Sequence, residues 1–202
     1  AKPFVMISRC PSCNEPIVRK PGEADYYCVN PNCEEKRINS LIHFASKPAY
    51  DIDTLGEKMV RLLYQKGLVR SIPEIFTLYT KKDEMLNLDR MGQKSVDKLL
   101  NAIEESKKQD LSRLIFGLGI RHCGAKVSRI LAQTYLSLDA LLDADFEAMR
   151  QIQDIGEVIA SEVVAWFKDE DYQRLGSTLK ELGLKTSEDK VEVKESFFTG
   201  KK

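Results

Sequence analysis

A short glycine-centred stretch recurs four times along this 202-residue chain, and that recurrence constrains the fold more than any other feature. The copies are Thr54-Leu55-Gly56-Glu57-Lys58, Arg90-Met91-Gly92-Gln93-Lys94, His122-Cys123-Gly124-Ala125-Lys126 and Asp154-Ile155-Gly156-Glu157-Val158, so the glycines stand 36, 32 and 32 residues apart. The seventh residue after each glycine is Leu63, Leu99, Leu131 or Val163, and the eighth is Tyr64, Leu100, Ala132 or Val164. An apolar residue precedes each glycine; in the third copy Cys123 takes that place as a small hydrophobe. A fixed period of this length means one supersecondary unit used repeatedly, each copy burying a face against its neighbour.

Each copy reads as a helix–hairpin–helix. The glycine is expected to supply the positive φ that a hairpin needs and to let an anion approach the backbone with no Cβ in the way. The helix that follows offers unpaired N–H groups and the positive end of its dipole. Candidate contacts to a phosphate backbone are therefore Gly56, Lys58, Arg90, Gly92, Lys94, Arg121, His122, Gly124, Lys126 and Gly156.

The four copies are not equally basic. Arg90, Lys94 and Lys98 surround the second, and Arg121, His122, Lys126 and Arg129 the third. The first mixes Lys58 and Arg61 with Asp51, Asp53 and Glu57, while Asp154, Glu157 and Glu162 surround the fourth, where Val158 replaces the lysine. The second and third hairpins are expected to carry most of the contact and the fourth to be mainly structural. Contacts of this kind fix position without reading sequence, and they weaken steeply with salt. The alternative is that the glycines are only helix-connecting turns of an all-α repeat. His122 and Cys123 are not a catalytic pair, because adjacent residues do not easily orient one another as base and nucleophile and no third partner is evident.

Four of the five cysteines lie together near the N-terminus, as Cys10-Pro11-Ser12-Cys13 and then Cys28 and Cys33. Four thiolates in two turn-rich knuckles suit a closed tetrahedral Zn²⁺ site with a folding role. Two disulfides or a C-x-x-C redox pair are the alternatives, but a redox motif needs no second pair. His43 reads as a packing or surface residue. The finger's Arg9, Arg19, Lys20, Lys36 and Arg37 are nearly cancelled by Glu15, Glu23, Asp25, Glu34 and Glu35, so it reads as a spacer that orients the hairpins.

Charge totals sharpen this. Lys+Arg 31 against Asp+Glu 31 gives zero net charge, so affinity for nucleic acid has to come from local placement of charge. Neither a membrane-length apolar run nor a signal-peptide pattern is present, and a cytoplasmic protein is expected.

Along the chain, Ile17-Val18-Arg19 and Tyr26-Tyr27 suggest a short β-hairpin. Ser71-Ile72-Pro73-Glu74 is a capping box for a helix to about Tyr79. Asp83 is expected to cap a turn bearing Met85, and a longer helix is expected over Lys94–Lys108. Ser137 and Asp145 look like N-caps, and a last helix is expected from Asp171 to Leu182, stopped by Gly183. Trp166 and Tyr135 are expected in the core. The fold class is mainly α, a small four-cysteine zinc finger followed by an all-α domain of four helix–hairpin–helix units. The expected divisions are 1–8, an upstream edge; 9–48, the finger; 49–185, the hairpin domain; and 186–202, a charged linker and then the start of another domain at Phe197-Phe198-Thr199-Gly200-Lys201.

Together the finger at Cys10, Cys13, Cys28 and Cys33, the four hairpins at Gly56, Gly92, Gly124 and Gly156, the stretch FGLGIRHCG and the terminal FFTGKK resemble the C-terminal half of bacterial NAD⁺-dependent DNA ligases. The resemblance implies that residues 1–8 are the tail of an OB domain and that the end opens a BRCT domain. It implies binding to duplex DNA, nicked in particular, in replication and repair, by a monomer attached to the remaining domains of a parent ligase in the bacterial cytoplasm and nucleoid. The family's K-x-D-G lysine has no match here, so this stretch is expected to have no catalytic residue of its own, and NAD⁺ belongs to a separate adenylation domain. Two readings from other classes stay open: a DNA-structure-binding module of a repair nuclease, and a protein–protein scaffold without a DNA role.

Overall fold

The apolar spacing along the chain is realised as a succession of helices, seen in a computed structural model that describes residues 6–189. Two short antiparallel strands come first, β1 (Ile17–Val18) and β2 (Tyr27–Cys28), in a register that pairs Ile17 with Cys28. Helices follow at α1 (Glu34–Ala45), α2 (Glu57–Gln65), α3 (Ile72–Ile75), α4 (Lys82–Leu86), α5 (Gln93–Ser106) and α6 (Leu111–Gly117). The order continues with α7 (Ala125–Tyr135), α8 (Leu138–Leu142), α9 (Phe146–Arg150), α10 (Glu157–Lys168) and α11 (Glu170–Glu181). A 3₁₀ turn over Leu78–Lys81 joins α3 to α4. The mainly α class with a small N-terminal finger is as expected. The readings at residues 1–5 and 190–202, including the start of a following domain, lie outside the described residues.

The chain forms two compact units. One holds the residues up to 106 together with 117–119, and the other holds 107–116 and the residues from 120 onward, so the division falls inside the stretch 49–185. In the first unit the core is centred on Phe44, Tyr50 and Phe76. Phe44 and Tyr50 stack with centroids 4.8 Å apart, and Phe76 meets both edge-on at 6.0 and 5.9 Å. Leu63, Leu78, Met85, Val96 and Leu99 complete it. Gly117 belongs here for a packing reason: a Cβ would lie 3.0 Å from the Phe44 ring.

In the second unit Leu111, Leu114, Leu131, Leu141, Met149, Val163 and Leu179 are buried, with α10 packed on α8, α9 and α11. Residues 185–188 are bonded into this unit. The Lys185 N–H donates to the Lys107 carbonyl, the Leu138 N–H to the Thr186 carbonyl, and the Glu188 carboxylate accepts from the Leu111 N–H at 2.6 Å.

Capping explains several helix ends. Ser137 and Asp145 accept from the N–H groups of Ala140 and Ala148, as expected. Gly183, at φ +87°, closes α11: its N–H reaches the Lys180 carbonyl and that of Leu184 reaches Leu179. Three details differ. The helix after Ser71 stops at Ile75 rather than about Tyr79, and neither backbone bond of the box forms. Glu74 accepts from the Arg70 N–H and the Ser71 hydroxyl, while the Ser71 side chain caps nothing. Turning out of the helix at Phe76 lets both Phe76 and Leu78 be buried. Asp83 lies inside the first turn of α4 rather than before it. Asp169, not Asp171, caps the last helix, accepting from the Asp171 N–H at 2.9 Å. Trp166 is half-buried, its ring covered by exposed Tyr172 at 4.2 Å. Among the described residues no helix is long and apolar enough to cross a membrane.

Candidate nucleic-acid interface and metal centre

The metal centre is built from two turns. In the first, the Asn14 N–H closes onto the Cys10 carbonyl at 2.9 Å, with Asn14 at φ +59°, a conformation asparagine tolerates. In the second, the Asn30 side chain accepts from the Asn32 N–H at 2.9 Å, and the Asn30 carbonyl accepts from the Cys33 N–H, which accommodates the longer gap between Cys28 and Cys33. The sulfurs of Cys10, Cys13, Cys28 and Cys33 all lie within 4.8 Å of one another. Cys10 and Cys33 are 3.9 Å apart, and Cys13 and Cys28 are 3.5 Å apart. A disulfide needs about 2.05 Å, whereas tetrahedral Zn–S bonds of about 2.3 Å place sulfurs about 3.8 Å apart. The donor set therefore fits a closed four-thiolate metal site. The N–H of Glu15 and the Asn30 amide hold Cys13 down at about 6, the Lys36 N–H lowers Cys33, and burial pushes Cys28 up to about 12. His43 is not in this cluster.

The four hairpins share one construction. The N–H of the residue before each glycine closes a turn onto a carbonyl three residues back: Leu55 onto Ile52, Met91 onto Leu88, Cys123 onto Ile120 and Ile155 onto Ile152, at 3.0–3.2 Å. Those preceding residues are buried to 3–5% exposure, anchoring the turn. Each glycine carbonyl then accepts the first helical bond, from Val60, Val96, Ser128 and Ala160, at 2.9–3.1 Å.

Here the structure corrects one expectation. The positive φ is not at the glycine but two residues earlier, at Thr54 (+68°), Arg90 (+61°), His122 (+59°) and Asp154 (+68°). Gly56, Gly124 and Gly156 are extended, with φ of −77°, −73° and −88° and ψ near 180°, and Gly92 is not in the left-handed region either. Any residue can adopt that conformation. Nor does packing ask for glycine: a Cβ at Gly56, Gly92, Gly124 or Gly156 would meet nothing within 4 Å. All four are exposed, and no side chain caps the helix at Gly56, Gly124 or Gly156. The result is an open backbone surface at a helix N-terminus, suited to an anion.

Charge is arranged around these surfaces pair by pair. In the first unit Lys98 on α5 reaches Asp53 in the first hairpin at 3.0 Å, which sets the first two hairpins side by side. Lys58 and Lys94 are exposed and, among the described residues, carry no ion pair. Arg61, counted at sequence level with the basic residues of the first hairpin, is instead committed to Glu35 and Glu57. Arg90 lies 3.9 Å from its neighbour Asp89, with both side chains almost fully solvated. In the second unit Lys126 reaches Asp154 of the fourth hairpin at 3.0 Å. Arg150 lies 3.4 Å from Glu157, and Val158 is 64% exposed. Cys123 is buried against Ser128, with its thiol raised by burial, while His122 is exposed.

Asp53, Asp154 and the Arg61 cluster were not singled out in the sequence as partners, since nothing local shows that two hairpins stand side by side. The positive φ at His122 and Asp154 had a weak signal, because both residue types are enriched there; Thr54 and Arg90 gave none.

Comparison with known proteins bears on both sites. Residues 9–34 match the NAD-dependent DNA ligase C4 zinc finger domain, and residues 113–175 match the helix-hairpin-helix motif. The chain is 52% identical over 182 residues to a DNA ligase of Acholeplasma laidlawii, covering 90% of this chain and 28% of that protein. It is 44% identical to a DNA ligase of Macrococcus caseolyticus and 43% identical to one of Staphylococcus saprophyticus, covering 91% and 89% of this chain and 27% of each of those proteins. The chain thus spans little more than a quarter of the length of the curated relatives it matches, and the stretches matched by family models are a zinc finger domain of NAD-dependent DNA ligases and a helix-hairpin-helix motif.

Proposed function

We propose that this chain is the duplex-gripping portion of a bacterial NAD⁺-dependent DNA ligase, binding nicked DNA through its phosphate backbone during replication and repair. One observation carries the reading. Four exposed glycines stand at helix N-termini where neither backbone conformation nor packing calls for glycine. What remains is a ligand that comes against the backbone itself, and a phosphate in reach of free N–H groups and a lysine two residues on is such a ligand. Gly56 with Lys58, Arg90 with Gly92 and Lys94, and Arg121 and His122 with Gly124 and Lys126 form three such sites. Gly156 opens a fourth in acidic surroundings and is mainly structural. The second and third carry most of the contact.

Cys10, Cys13, Cys28 and Cys33 hold a structural Zn²⁺, which orders the two turns between which the finger is folded. When bound, the ion supplies cross-linking of four thiolates and no open coordination position. The hairpin residues bind and position DNA. Adenylation with NAD⁺ and sealing of the nick belong to other parts of the parent enzyme, which works in the cytoplasm on the nucleoid.

The test is a titration of the 202-residue chain against nicked and intact duplexes of one sequence, repeated with a second sequence and at two salt concentrations. The reading expects sequence-independent binding that weakens steeply with salt. Absence of binding at low salt would favour a scaffold without a DNA role, a reading consistent with the zero net charge.

A further inference from the structure

We propose that Arg61 is a positioning residue that transmits the state of the metal site to the first hairpin, an inference that rests on the hairpins being DNA contacts. Cys33, a thiol of the metal cluster, is also the residue at the N-terminal boundary of α1, and no side chain caps that end. The start of α1 is held by the Cys33 sulfur together with the Asn30–Asn32 turn of the same knuckle, where the Asn30 carbonyl accepts from the Cys33 N–H and Lys36 and the Asn32 side chain accepts from Arg37. Two residues on, Glu35 accepts a two-pronged bond from Arg61 on α2, at 2.6 and 3.1 Å. The Nε of the same guanidinium donates to Glu57 at 3.0 Å, and Glu57 directly follows Gly56. One planar group thus spans from the second residue past a metal ligand to the first residue past a hairpin glycine.

A bidentate arginine–carboxylate contact fixes orientation as well as distance, although its contribution to stability at this exposure is small. The guanidinium spends Nε and both terminal nitrogens on carboxylates, so it has little left for a phosphate. The apolar residues of α1, Ile38, Leu41 and Phe44, lie further along the helix, away from the metal end. Loss of the ion frees the first turn of α1, moves Glu35, and releases Arg61 and the start of α2.

Two roles for Arg61 predict opposite signs. If Arg61 is a DNA contact, Glu35→Ala removes a competing negative charge and raises affinity. If it is a positioning residue, Glu35→Ala lowers affinity despite the charge gain. The experiment titrates a short nicked duplex with the zinc-loaded wild type, Glu35→Ala and Glu57→Ala chains, with bound zinc measured in each. It also follows amide hydrogen exchange over Val60–Tyr64 before and after chelation. The expected result is full zinc in all three, with an affinity about three- to tenfold lower for Glu35→Ala and a smaller loss for Glu57→Ala, whose contact to Arg61 stays within α2. Exchange over Val60–Tyr64 should rise on chelation in the wild type and already be raised in Glu35→Ala. Unchanged or higher affinity for Glu35→Ala with unchanged exchange overturns the proposal. Raised exchange in a chain that binds no DNA at all leaves the strut standing and overturns the DNA reading instead.

Discussion

The Nζ of Lys126 lies 3.0 Å from a carboxylate oxygen of Asp154, so the lysine of the third hairpin is held by an acid of the fourth. Both side chains keep substantial exposure, and the contact is one that a phosphate can displace. The fourth hairpin therefore acts on its neighbour's charge rather than only filling space.

Replacing that acid tests the competition. Asp154→Asn keeps a residue that tolerates φ +68° while removing the charge. Duplex affinity is expected to rise by up to about fivefold at low salt, the scale of an exposed ion pair, and the gain should shrink as salt increases. A fall in affinity would mean that Asp154 instead holds Lys126 in place for its phosphate.

Charge reversal at Lys94 and Lys126 together should weaken binding far more than Glu157→Lys strengthens it. The slope of log affinity against log salt should fall by about two phosphate equivalents. Binding equal to wild type in the double variant would remove the second and third hairpins as the main contacts.

Gly117 and Gly124 do different work, and alanine separates them. At Gly117 the added Cβ would stand 3.0 Å from the Phe44 ring, so Gly117→Ala should cost about 1–3 kcal/mol in chemical denaturation. Binding per folded molecule should be unchanged.

Acid stability follows from the exposed carboxylates. Lys98, Lys82 and Arg61 hold Asp53, Asp97 and Glu35 below the ordinary carboxylate range. A depressed folded-state value stabilises the protein above the unfolded value, and that contribution is lost as pH falls through the folded one. Melting temperature should therefore drop on acidification, and Asp53→Asn with Asp97→Asn should flatten the drop. All three groups are solvated, so the effect is modest and weakens in salt.

Much of this molecule was legible in its sequence because the repeat is strong. The period set by Gly56, Gly92, Gly124 and Gly156 placed four helices, and α2, α5, α7 and α10 each begin directly after the glycine. Cys10, Cys13, Cys28 and Cys33 announced a shared centre by spacing alone, and their sulfurs do converge. What was not legible is what depends on neighbours distant in sequence. Arg61 read as one more basic residue because its partner Glu35 lies 26 residues away. The break after Ile75 depends on where Phe76 and Leu78 find a core. The hairpin glycine read as a conformational necessity because glycine permits positive φ, yet the strained position falls on Thr54, Arg90, His122 and Asp154. That error strengthens the functional reading, because it removes the internal reason for glycine and leaves an external one.

The most direct measurement is therefore Gly92→Ala with Gly124→Ala, titrated against nicked duplex beside a denaturation curve. The open space around both positions and their ordinary φ predict a stability within about 1 kcal/mol of wild type. Affinity is expected to fall by at least about tenfold, the loss of charge-assisted bonds at two phosphates. Wild-type affinity in a folded double variant would contradict the claim that these glycines exist for phosphate to reach the backbone.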